Sequence, residues 1–258
     1  MTKIVDFSNY STIRIGQKEE VLLLTKQNPS PPKGYTLIGG ASNILLSPTP
    51  PPLAMLSKEF DYIKLEDGVL RVGAATPNGK VVSFCKKHNI ANFEFLSHLP
   101  GKMGGAVKMN AGLKEYEVFN HLLHITTDNG VFAKQLIPHG YRYTKIDGVI
   151  LEAAFSIQEG FSQEKVALFA KMRANQPKES SAGSCFKNPP QDAAGRLIEA
   201  VGLKGKQIGG MAFSPKHANF LVNFGNGTFQ EAITLIIEAK EKVQQKFGID
   251  LQEEIIIL

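Results

Sequence analysis

Short strands dominate this chain up to about residue 160, and helices dominate after it. Asp67-Gly68 lies between two runs of alternating apolar residues, a pattern typical of a tight β-hairpin. Asp128-Asn129-Gly130 predicts a second hairpin, and the apolar run over residues 149–157 predicts a buried strand. The pattern predicts an α+β protein with a strand-rich domain over residues 1–158 and a smaller domain over residues 159–258.

One helix is predicted directly after the first hairpin. Thr76 is placed to cap this helix, and Pro77 suits its first helical position because that position needs no backbone N–H donor. Cys85 falls on the apolar face of the same segment. We therefore expect Cys85 to be a core residue.

Three further helices are predicted in the second half of the chain. Ser162 opens the first, which must end before Gln176-Pro177 because proline disfavours the preceding helical turn. The second covers about residues 192–201. The third covers residues 228–247 and begins with a capping box formed by Thr228 and Glu231.

Composition excludes several classes of protein. The chain has 258 residues, of which 43% are hydrophobic and 21% charged, and no apolar run is long enough to span a bilayer. The first residues lack the pattern of a secretory signal, so a cytoplasmic location is expected. A net charge of +5 without an arginine-rich tract favours anionic small molecules over nucleic acid. The two cysteines, Cys85 and Cys185, are far apart, which predicts neither a disulfide framework nor a metal site.

Two glycine-rich segments indicate a nucleotide. They are IGGASNILL over residues 38–46 and LPGKMGGAVKMNAG over residues 99–112. Glycine lets consecutive backbone N–H groups point at phosphate oxygens, and two such loops suit a pyrophosphate. Neither segment matches the dinucleotide fingerprint or the P-loop. Either segment alone could equally be a plain turn, so only the pair favours a ligand.

The run SSAGSCFKNP, residues 180–189, predicts an active-site loop. Ser184 offers a proton, Lys187 a positive charge and Asn188 an amide to an anionic polar ligand. An ordinary serine and glycine turn before a helix is an equally good reading of this run taken alone. Cys185 also invites a thiol mechanism with His217 as its distant base.

The ordered series of motifs resembles the UDP-N-acetylenolpyruvoylglucosamine reductase (MurB) family, in a short form that lacks an extra substrate-binding insertion. The resemblance covers nearly the whole chain and implies a noncovalent FAD in an N-terminal domain of the vanillyl-alcohol-oxidase (PCMH) type. It also implies a smaller C-terminal substrate-binding domain. The matching segments are TIRIG (Thr12–Gly16), GGASN, LPGKMGGAVKMNAG, YRYT (Tyr141–Thr144), QP (Gln176-Pro177), SAGSCFKNP, AGRLIEAVGLKG (Ala194–Gly205), KHANFLVN (Lys216–Asn223) and LQEEI.

The resemblance also implies a reaction in peptidoglycan precursor synthesis. NADPH reduces the flavin and leaves, and the enolpyruvyl ether of UDP-N-acetylglucosamine then takes a hydride at C3 to become UDP-N-acetylmuramate. By family position, Ser184 is the proton donor to C2. Arg142 and Glu254 match the other catalytic positions and are expected to hold and polarise the substrate carboxylate.

The remaining expected site residues also follow from the resemblance. Three residues are expected to contact the substrate: Lys187, Asn188 and Lys216. A monomer without a metal is expected. The expected cofactor-binding residues are Gly39, Gly40, Ala41, Ser42, Asn43, Pro100, Gly101, Gly104, Gly105, Ala106 and Asn110.

Several positions depart from the family pattern. Ala41 replaces the third glycine of the first loop, Lys102-Met103 replaces small or β-branched residues, and Thr144 replaces a serine. The segment LKEYE follows the NAG motif where the family has AYGxE. Two alternatives therefore stay open, namely an FAD-dependent sugar or alcohol oxidase of the same fold and a noncatalytic nucleotide-binding protein.

Overall fold

The computed structural model describes residues 1–258. The chain forms six α-helices, four short 3₁₀ helices and nineteen strands, most of them short. The helices are α1 (Phe7–Tyr10), α2 (Asn78–Lys87), α3 (Met103–Lys108), α4 (Gln163–Met172), α5 (Ala194–Ala200) and α6 (Phe229–Phe247). The strands are β1 (Thr2–Asp6), β2 (Lys18–Leu24), β3 (Thr36–Leu37), β4 (Ile44–Leu45), β5 (Leu53–Leu56), β6 (Ile63–Glu66), β7 (Val69–Gly73), β8 (Gly112–Leu113), β9 (Tyr116–Glu117), β10 (Leu122–Thr127), β11 (Gly130–Ala133), β12 (His139–Gly140), β13 (Tyr143–Thr144), β14 (Ile150–Ser156), β15 (Ser180–Ser184), β16 (Gln207–Ile208), β17 (Met211–Phe213), β18 (Phe220–Asn223) and β19 (Ile256–Ile257).

The chain divides into two compact units. The first unit comprises Met1–Lys3, Glu20–Gly40 and Pro52–Arg173, and the second comprises Ile4–Glu19, Ala41–Pro51 and Ala174–Leu258. This division differs from the linear boundary predicted between residues 158 and 159. Helix α4 lies in the first unit because Phe169 is buried in that unit's hydrophobic core. Two short N-terminal segments lie in the second unit because Ile13, Ile15 and Leu45 are buried in the other core.

The first unit contains two larger sheets and two two-stranded pairs, β8-β9 and β12-β13. Strands β2, β5 and β3 pair in parallel, and a five-stranded antiparallel sheet has the order β11-β10-β14-β7-β6. Apolar side chains of the antiparallel sheet pack with residues of α2, α3 and α4 into one core. Phe93 and Phe155 meet edge to face in this core, with ring centroids 5.3 Å apart.

Both predicted hairpins are present in the antiparallel sheet. Strands β6 and β7 pair around Asp67 and Gly68, whose φ angles of 50° and 75° lie in the left-handed region that such two-residue turns require. Strands β10 and β11 form the second hairpin, in which Thr127 pairs with Gly130. The predicted buried strand is β14, which lies in the middle of the sheet.

Helix α2 begins one residue later than predicted. Its N-cap is Pro77, without a side-chain cap, while the hydroxyl of Thr76 donates to the Tyr62 carbonyl oxygen at 3.0 Å. The predicted capping role of Thr76 is therefore wrong, because a neighbouring backbone competes for its hydroxyl. Cys85 is fully buried, as predicted, and burial raises the pKa of its thiol to about 12.

The second unit is built on a four-stranded antiparallel sheet with the order β15-β18-β17-β16. Helix α6 packs on β16 and β17 and against α5, and its buried stripe includes Leu235, Ala239 and Val243. The predicted capping box of Thr228 and Glu231 is present at its start. The last strand, β19, pairs in parallel with β4. No helix is both long enough and apolar enough to cross a membrane.

Candidate active site

The second glycine-rich segment lies in the first unit, includes α3 and is held by backbone hydrogen bonds. The Asn78 N–H donates to the Gly101 carbonyl oxygen at 3.1 Å, and the Gly104 N–H donates to the Ala74 carbonyl oxygen at 2.9 Å. Lys102 caps α3, on which Gly104 and Gly105 lie. The loop therefore turns tightly against the segment that precedes α2.

The two glycine-rich loops meet in the first unit. A Cβ atom added to Gly40 would lie 2.9 Å from the Gly101 Cα atom, a distance that real Cβ atoms do not tolerate. Glycine is therefore required where the two backbones approach. In contrast, a Cβ atom added to Gly39 or Gly105 would meet no atom within 4 Å. These two positions line open space beside the contact, as a cradle for a ligand would.

One buried polar atom beside this cradle lacks a partner. Asn78 is 2% exposed, and its Nδ2 donates to the Leu99 carbonyl oxygen at 3.1 Å, but its Oδ1 accepts no hydrogen bond. A buried acceptor without a donor costs free energy unless a ligand supplies one. Hydroxyl and N–H groups of a dinucleotide would satisfy Oδ1, so the residues present fit such a cofactor.

Three of the other predicted cofactor residues in this loop lie in different environments. Pro100 is exposed, whereas the Ala106 side chain is part of the hydrophobic core. The Asn110 side chain is fully buried, donating to the Glu117 carboxylate and the Gly140 carbonyl oxygen and accepting from the Phe119 N–H. Asn110 thus holds the loop together through its side chain.

Arg142 lies at the tip of the β12–β13 hairpin. Its Nη2 donates to the Gly112 carbonyl oxygen at 2.8 Å, and its Nη1 donates to the Asn110 carbonyl oxygen at 3.4 Å. The backbone of Arg142 has φ +53°, a conformation that non-glycine residues rarely adopt and that often marks a functional position. The hydroxyl of Thr144 donates to the Lys108 carbonyl oxygen at 2.6 Å. The hairpin is therefore fixed to the end of α3.

A second arginine contributes to the field around Arg142. Arg173 is the C-cap of α4, and burial together with the charge of Arg142 lowers the pKa of its guanidinium. Two cationic groups that repel each other create a region of positive potential in the first unit. Such a region favours a carboxylate or a phosphate.

In the second unit, the rest of the first glycine loop is joined to the C-terminal strand. Ala41 is buried with φ +47°, and its carbonyl oxygen accepts the Thr12 N–H at 3.2 Å. The Thr12 hydroxyl donates to the Ser42 carbonyl oxygen at 3.2 Å. Asn43 Nδ2 donates to the Glu254 carbonyl oxygen at 2.8 Å, and the Ile256 N–H donates to the Asn43 carbonyl oxygen at 2.9 Å. Asn43 thus fixes the backbone of Glu254.

Ser184 is the last residue of β15 and follows an irregularity in the strand. The pairing of β15 with β18 shifts register between Ser181 and Ser184, and Gly183 has φ +80°. Such a bulge redirects the following side chain and is common beside active sites. Ser184 itself is partly buried and lies opposite Phe220.

The backbone of one residue, Cys185, links Ser184 with Glu254. The residue after Ser184 is Cys185, whose carbonyl oxygen accepts the N–H groups of Glu254 at 2.9 Å and Ile255 at 3.3 Å. The next residue, Phe186, forms a β-bridge with Glu253. The structure therefore brings together two of the three predicted catalytic residues, although they lie 70 positions apart in the sequence.

The three predicted substrate residues lie near one end of the sheet in the second unit, where β15 finishes and β18 begins. Lys187 follows β15, and its N–H donates to the Gln252 carbonyl oxygen at 2.9 Å. Asn188 accepts the Ala194 N–H on its Oδ1 at 3.1 Å, so it also supports the start of α5. Lys216 is exposed in the turn before β18, and β18 runs antiparallel to β15. Lys187 therefore follows the end of β15, Lys216 precedes the start of β18, and both lie near the same end of the sheet.

The thiol mechanism is not supported by the position of Cys185. The side chain is 1% exposed, and burial together with the charges of Glu253 and Glu254 raises the pKa of its thiol. A thiolate nucleophile requires a lowered pKa and access to the substrate. His217 accepts the Asn219 N–H on Nδ1 at 3.3 Å, and burial lowers its pKa.

Comparison with known proteins identifies the family. Residues 176–258 match the family model described as the UDP-N-acetylenolpyruvoylglucosamine reductase C-terminal domain. The chain is 47% identical to UDP-N-acetylenolpyruvoylglucosamine reductase of Helicobacter hepaticus, over 100% of this chain and 99% of that protein. It is 42% identical to the Campylobacter jejuni protein of the same name, over 99% of this chain and 100% of that protein. The chain belongs to the UDP-N-acetylenolpyruvoylglucosamine reductase family.

A solved structure of this family has the same fold. The crystal structure of UDP-N-acetylenolpyruvylglucosamine reductase (MurB) from Thermus caldophilus is similar with a TM-score of 0.87 and 28% identity. The similarity covers 100% of this chain and 98% of that chain. The predicted membership of the MurB family and the predicted α+β fold, with a PCMH-type FAD-binding domain before a C-terminal domain, are confirmed.

Proposed function

We propose that this chain reduces UDP-N-acetylglucosamine enolpyruvate to UDP-N-acetylmuramate with FAD as cofactor and NADPH as hydride donor. The observation that supports this reaction best is the link between Ser184 and Glu254 through the Cys185 peptide. A proton donor and an acidic residue whose backbones are linked through Cys185 suit addition across an enol ether. A cytoplasmic location is part of this proposal, because the proposed reaction uses soluble nucleotides.

FAD is the cofactor that the glycine cradle suits. Gly39, Gly40, Gly101 and Gly105 would present backbone to its pyrophosphate, and Asn78 Oδ1 would accept one of its hydroxyl or N–H groups. When bound, FAD supplies the hydride that the enolpyruvyl group receives at C3. The chain's own residues bind the anionic substrate and control its charge and its proton.

Ser184 would donate the proton to C2. Its hydroxyl is a weak acid, so the position must be accurate and the developing charge must be shared by other groups. The bulge at Gly183 and the Cys185 peptide supply that accuracy. The buried thiol of Cys185 takes no part in the reaction.

Arg142 would stabilise the negative charge that builds up on the substrate carboxylate. Glu254 would help to hold the same carboxylate through a hydrogen bond that needs one proton between the two carboxyl groups. The guanidinium of Arg142 is anchored to the loop after α3, so its charge is held in place before the substrate arrives. Lys187 and Lys216 suit the diphosphate, because both lie near the same end of the sheet in the second unit.

An anaerobic absorbance titration tests this function. NADPH added to the FAD-loaded protein should bleach the flavin bands, and the enolpyruvyl UDP sugar should then restore them. Bleaching that only oxygen reverses would favour the sugar or alcohol oxidase. Failure to bind FAD at all would favour the noncatalytic nucleotide-binding protein.

A pair of neighbouring glycines tests where the cofactor lies. Gly105→Ala should stabilise the apoprotein by about 0.5–1 kcal/mol, because alanine suits a helix and its Cβ atom meets nothing within 4 Å. The same methyl group should lower FAD affinity by about tenfold or more because it fills the cradle. Gly104→Ala is the matched variant, since its Cβ atom would lie 2.9 Å from the Ala74 Cβ atom and should destabilise the apoprotein.

The measurements are thermal melting of the apoprotein and fluorescence titration with FAD. Unchanged FAD affinity in Gly105→Ala would show that the open face of α3 does not contact the cofactor.

A further inference from the structure

Asn219 forms three hydrogen bonds with the two residues that follow Ser184. Its Oδ1 accepts the Phe186 N–H at 3.0 Å, and its Nδ2 donates to the Phe186 carbonyl oxygen at 2.8 Å. Its own carbonyl oxygen accepts the Cys185 N–H at 2.7 Å. Asn219 is 3% exposed and Phe186 is fully buried, so water cannot replace these bonds.

The side chain of Asn219 supplies hydrogen bonds to the chain beyond the end of β15, where the ladder of the sheet no longer does. Strand β15 ends at Ser184, and the register shift before it has already disturbed the pairing with β18. A carboxamide presents one donor and one acceptor, and can therefore pair with both polar groups of a residue as a neighbouring strand would. Asn219 thus fixes the first two residues after the bulge.

The same bonds reach Glu254. The peptide group between Cys185 and Phe186 accepts the Glu254 N–H on its carbonyl oxygen and donates its own N–H to the Oδ1 of Asn219. A shift of this peptide would move Ser184 on one side and the Glu254 backbone on the other. Asn219 is therefore coupled to both proposed catalytic residues without being adjacent to either in the sequence.

We infer that Asn219 is a positioning residue that sets the distance and direction of the Ser184 hydroxyl relative to the substrate. This inference rests on the proposed function of Ser184. Loss of the Asn219 side chain should slow reoxidation of the flavin by the enolpyruvyl sugar, which needs the proton. It should not change reduction of the flavin by NADPH. Misplacement of a reacting group by about 1 Å costs about 10²-fold in rate.

A purely structural role would give a different result, and Asn223 provides the matched control. Asn223 lies on β18 and is buried. Its Nδ2 donates to the Ile13 carbonyl oxygen at 3.0 Å, and its Oδ1 accepts the N–H groups of Gly225 at 2.9 Å and Gly227 at 3.0 Å. Asn219 directly precedes β18 and Asn223 ends it, so Asn223→Ala removes the same kind of side-chain bonds at the other end of one strand and should destabilise the fold comparably.

The experiment compares Asn219→Ala with Asn223→Ala in the FAD-loaded protein, at a temperature where both are folded by circular dichroism. For Asn219→Ala we expect bleaching by NADPH within about twofold of the unmodified protein, and recovery at saturating enolpyruvyl sugar slowed about 10²-fold. For Asn223→Ala both rates should stay close to the unmodified values. Equal slowing of recovery in the two variants would overturn the inference.

Hydrogen exchange of the apoprotein gives a readout that needs neither cofactor nor substrate. Asn219→Ala should speed exchange at the Phe186 and Glu254 amides, whereas Asn223→Ala should speed exchange at Gly225 and Gly227. Protected amides at Phe186 and Glu254 in Asn219→Ala would contradict the inference. If the alanine variant does not fold, Asn219→Asp keeps the acceptor for the Phe186 N–H and replaces the donor to the Phe186 carbonyl oxygen with a carboxylate oxygen that repels it.

Failure of this inference can be told apart from failure of the proposed function. Should Ser184→Ala recover at the unmodified rate, the proton-donor role itself is wrong. Should Ser184→Ala be slow and Asn219→Ala normal, only the positioning role of Asn219 is wrong.

Discussion

Ser184→Ala is expected to leave bleaching of the flavin by NADPH unchanged and to slow recovery by the enolpyruvyl sugar by about 10²- to 10⁴-fold, the usual value of a positioned proton donor. Bleaching needs only the cofactor and NADPH, whereas recovery needs a proton at C2. The substitution removes one oxygen from a partly buried residue, so the fold and the FAD site should be unaffected.

The measurement is stopped-flow absorbance of each half-reaction under anaerobic conditions. Ser181→Ala is the matched control, because Ser181 lies on the same strand and pairs with Val222 in the regular part of the ladder. The control should behave like the unmodified protein in both half-reactions. Parallel slowing of both half-reactions in Ser184→Ala would mean that Ser184 shapes the binding cleft and does not donate the proton.

Elements whose signals are local could be predicted from the sequence. The capping box of Thr228 and Glu231 lies within one helical turn, and the Asp67-Gly68 hairpin is fixed by two residues with positive φ. The cap of α2 could not be predicted correctly. The hydroxyl of Thr76 bonds to Tyr62, a residue 14 positions away, and this tertiary contact overrides the local preference.

The candidate site shows the same limit. Ser184 stands out because its motif is continuous in the sequence, whereas the role of Arg142 follows only from the family resemblance of the YRYT segment. Asn219 and Asn78 could not be inferred in this way. Asn219 acts 33 positions away on Phe186, and Asn78 acts 21 positions away on Leu99, so only the folded chain reveals what they hold.

The division into compact units was also beyond the sequence pattern. The change from strands to helices near residue 160 is real, yet Phe169 of α4 packs in the first core and Leu45 in the second. Hydrophobic periodicity shows that a residue will be buried, but it does not show against which partner. The functional domain boundary at residue 158 therefore stays a prediction.

Arg142→Lys is expected to slow recovery of the flavin by the enolpyruvyl sugar by about 10²- to 10³-fold, the usual cost of losing one donor to a developing anion. Lysine keeps the charge but is a point cation without the planar fork of donors. It cannot hold the Gly112 carbonyl oxygen at 2.8 Å and bind a carboxylate with fixed geometry as well. The strained backbone at φ +53° would then hold a side chain that is free to move.

Arg71→Lys is the matched control for this charge-conserving change. Arg71 lies on β7 in the same unit, and its Nη1 donates to the Glu152 carboxylate at 2.9 Å. Its replacement by lysine measures how much each rate falls when a guanidinium is lost away from the site. Both half-reactions of Arg71→Lys should stay within about twofold, since a partly exposed ion pair contributes little. In Arg142→Lys the rate at saturating sugar should fall more than the affinity for the sugar, because polarisation acts on the reacting state. A loss confined to affinity would instead make Arg142 an anchor for the ground-state anion.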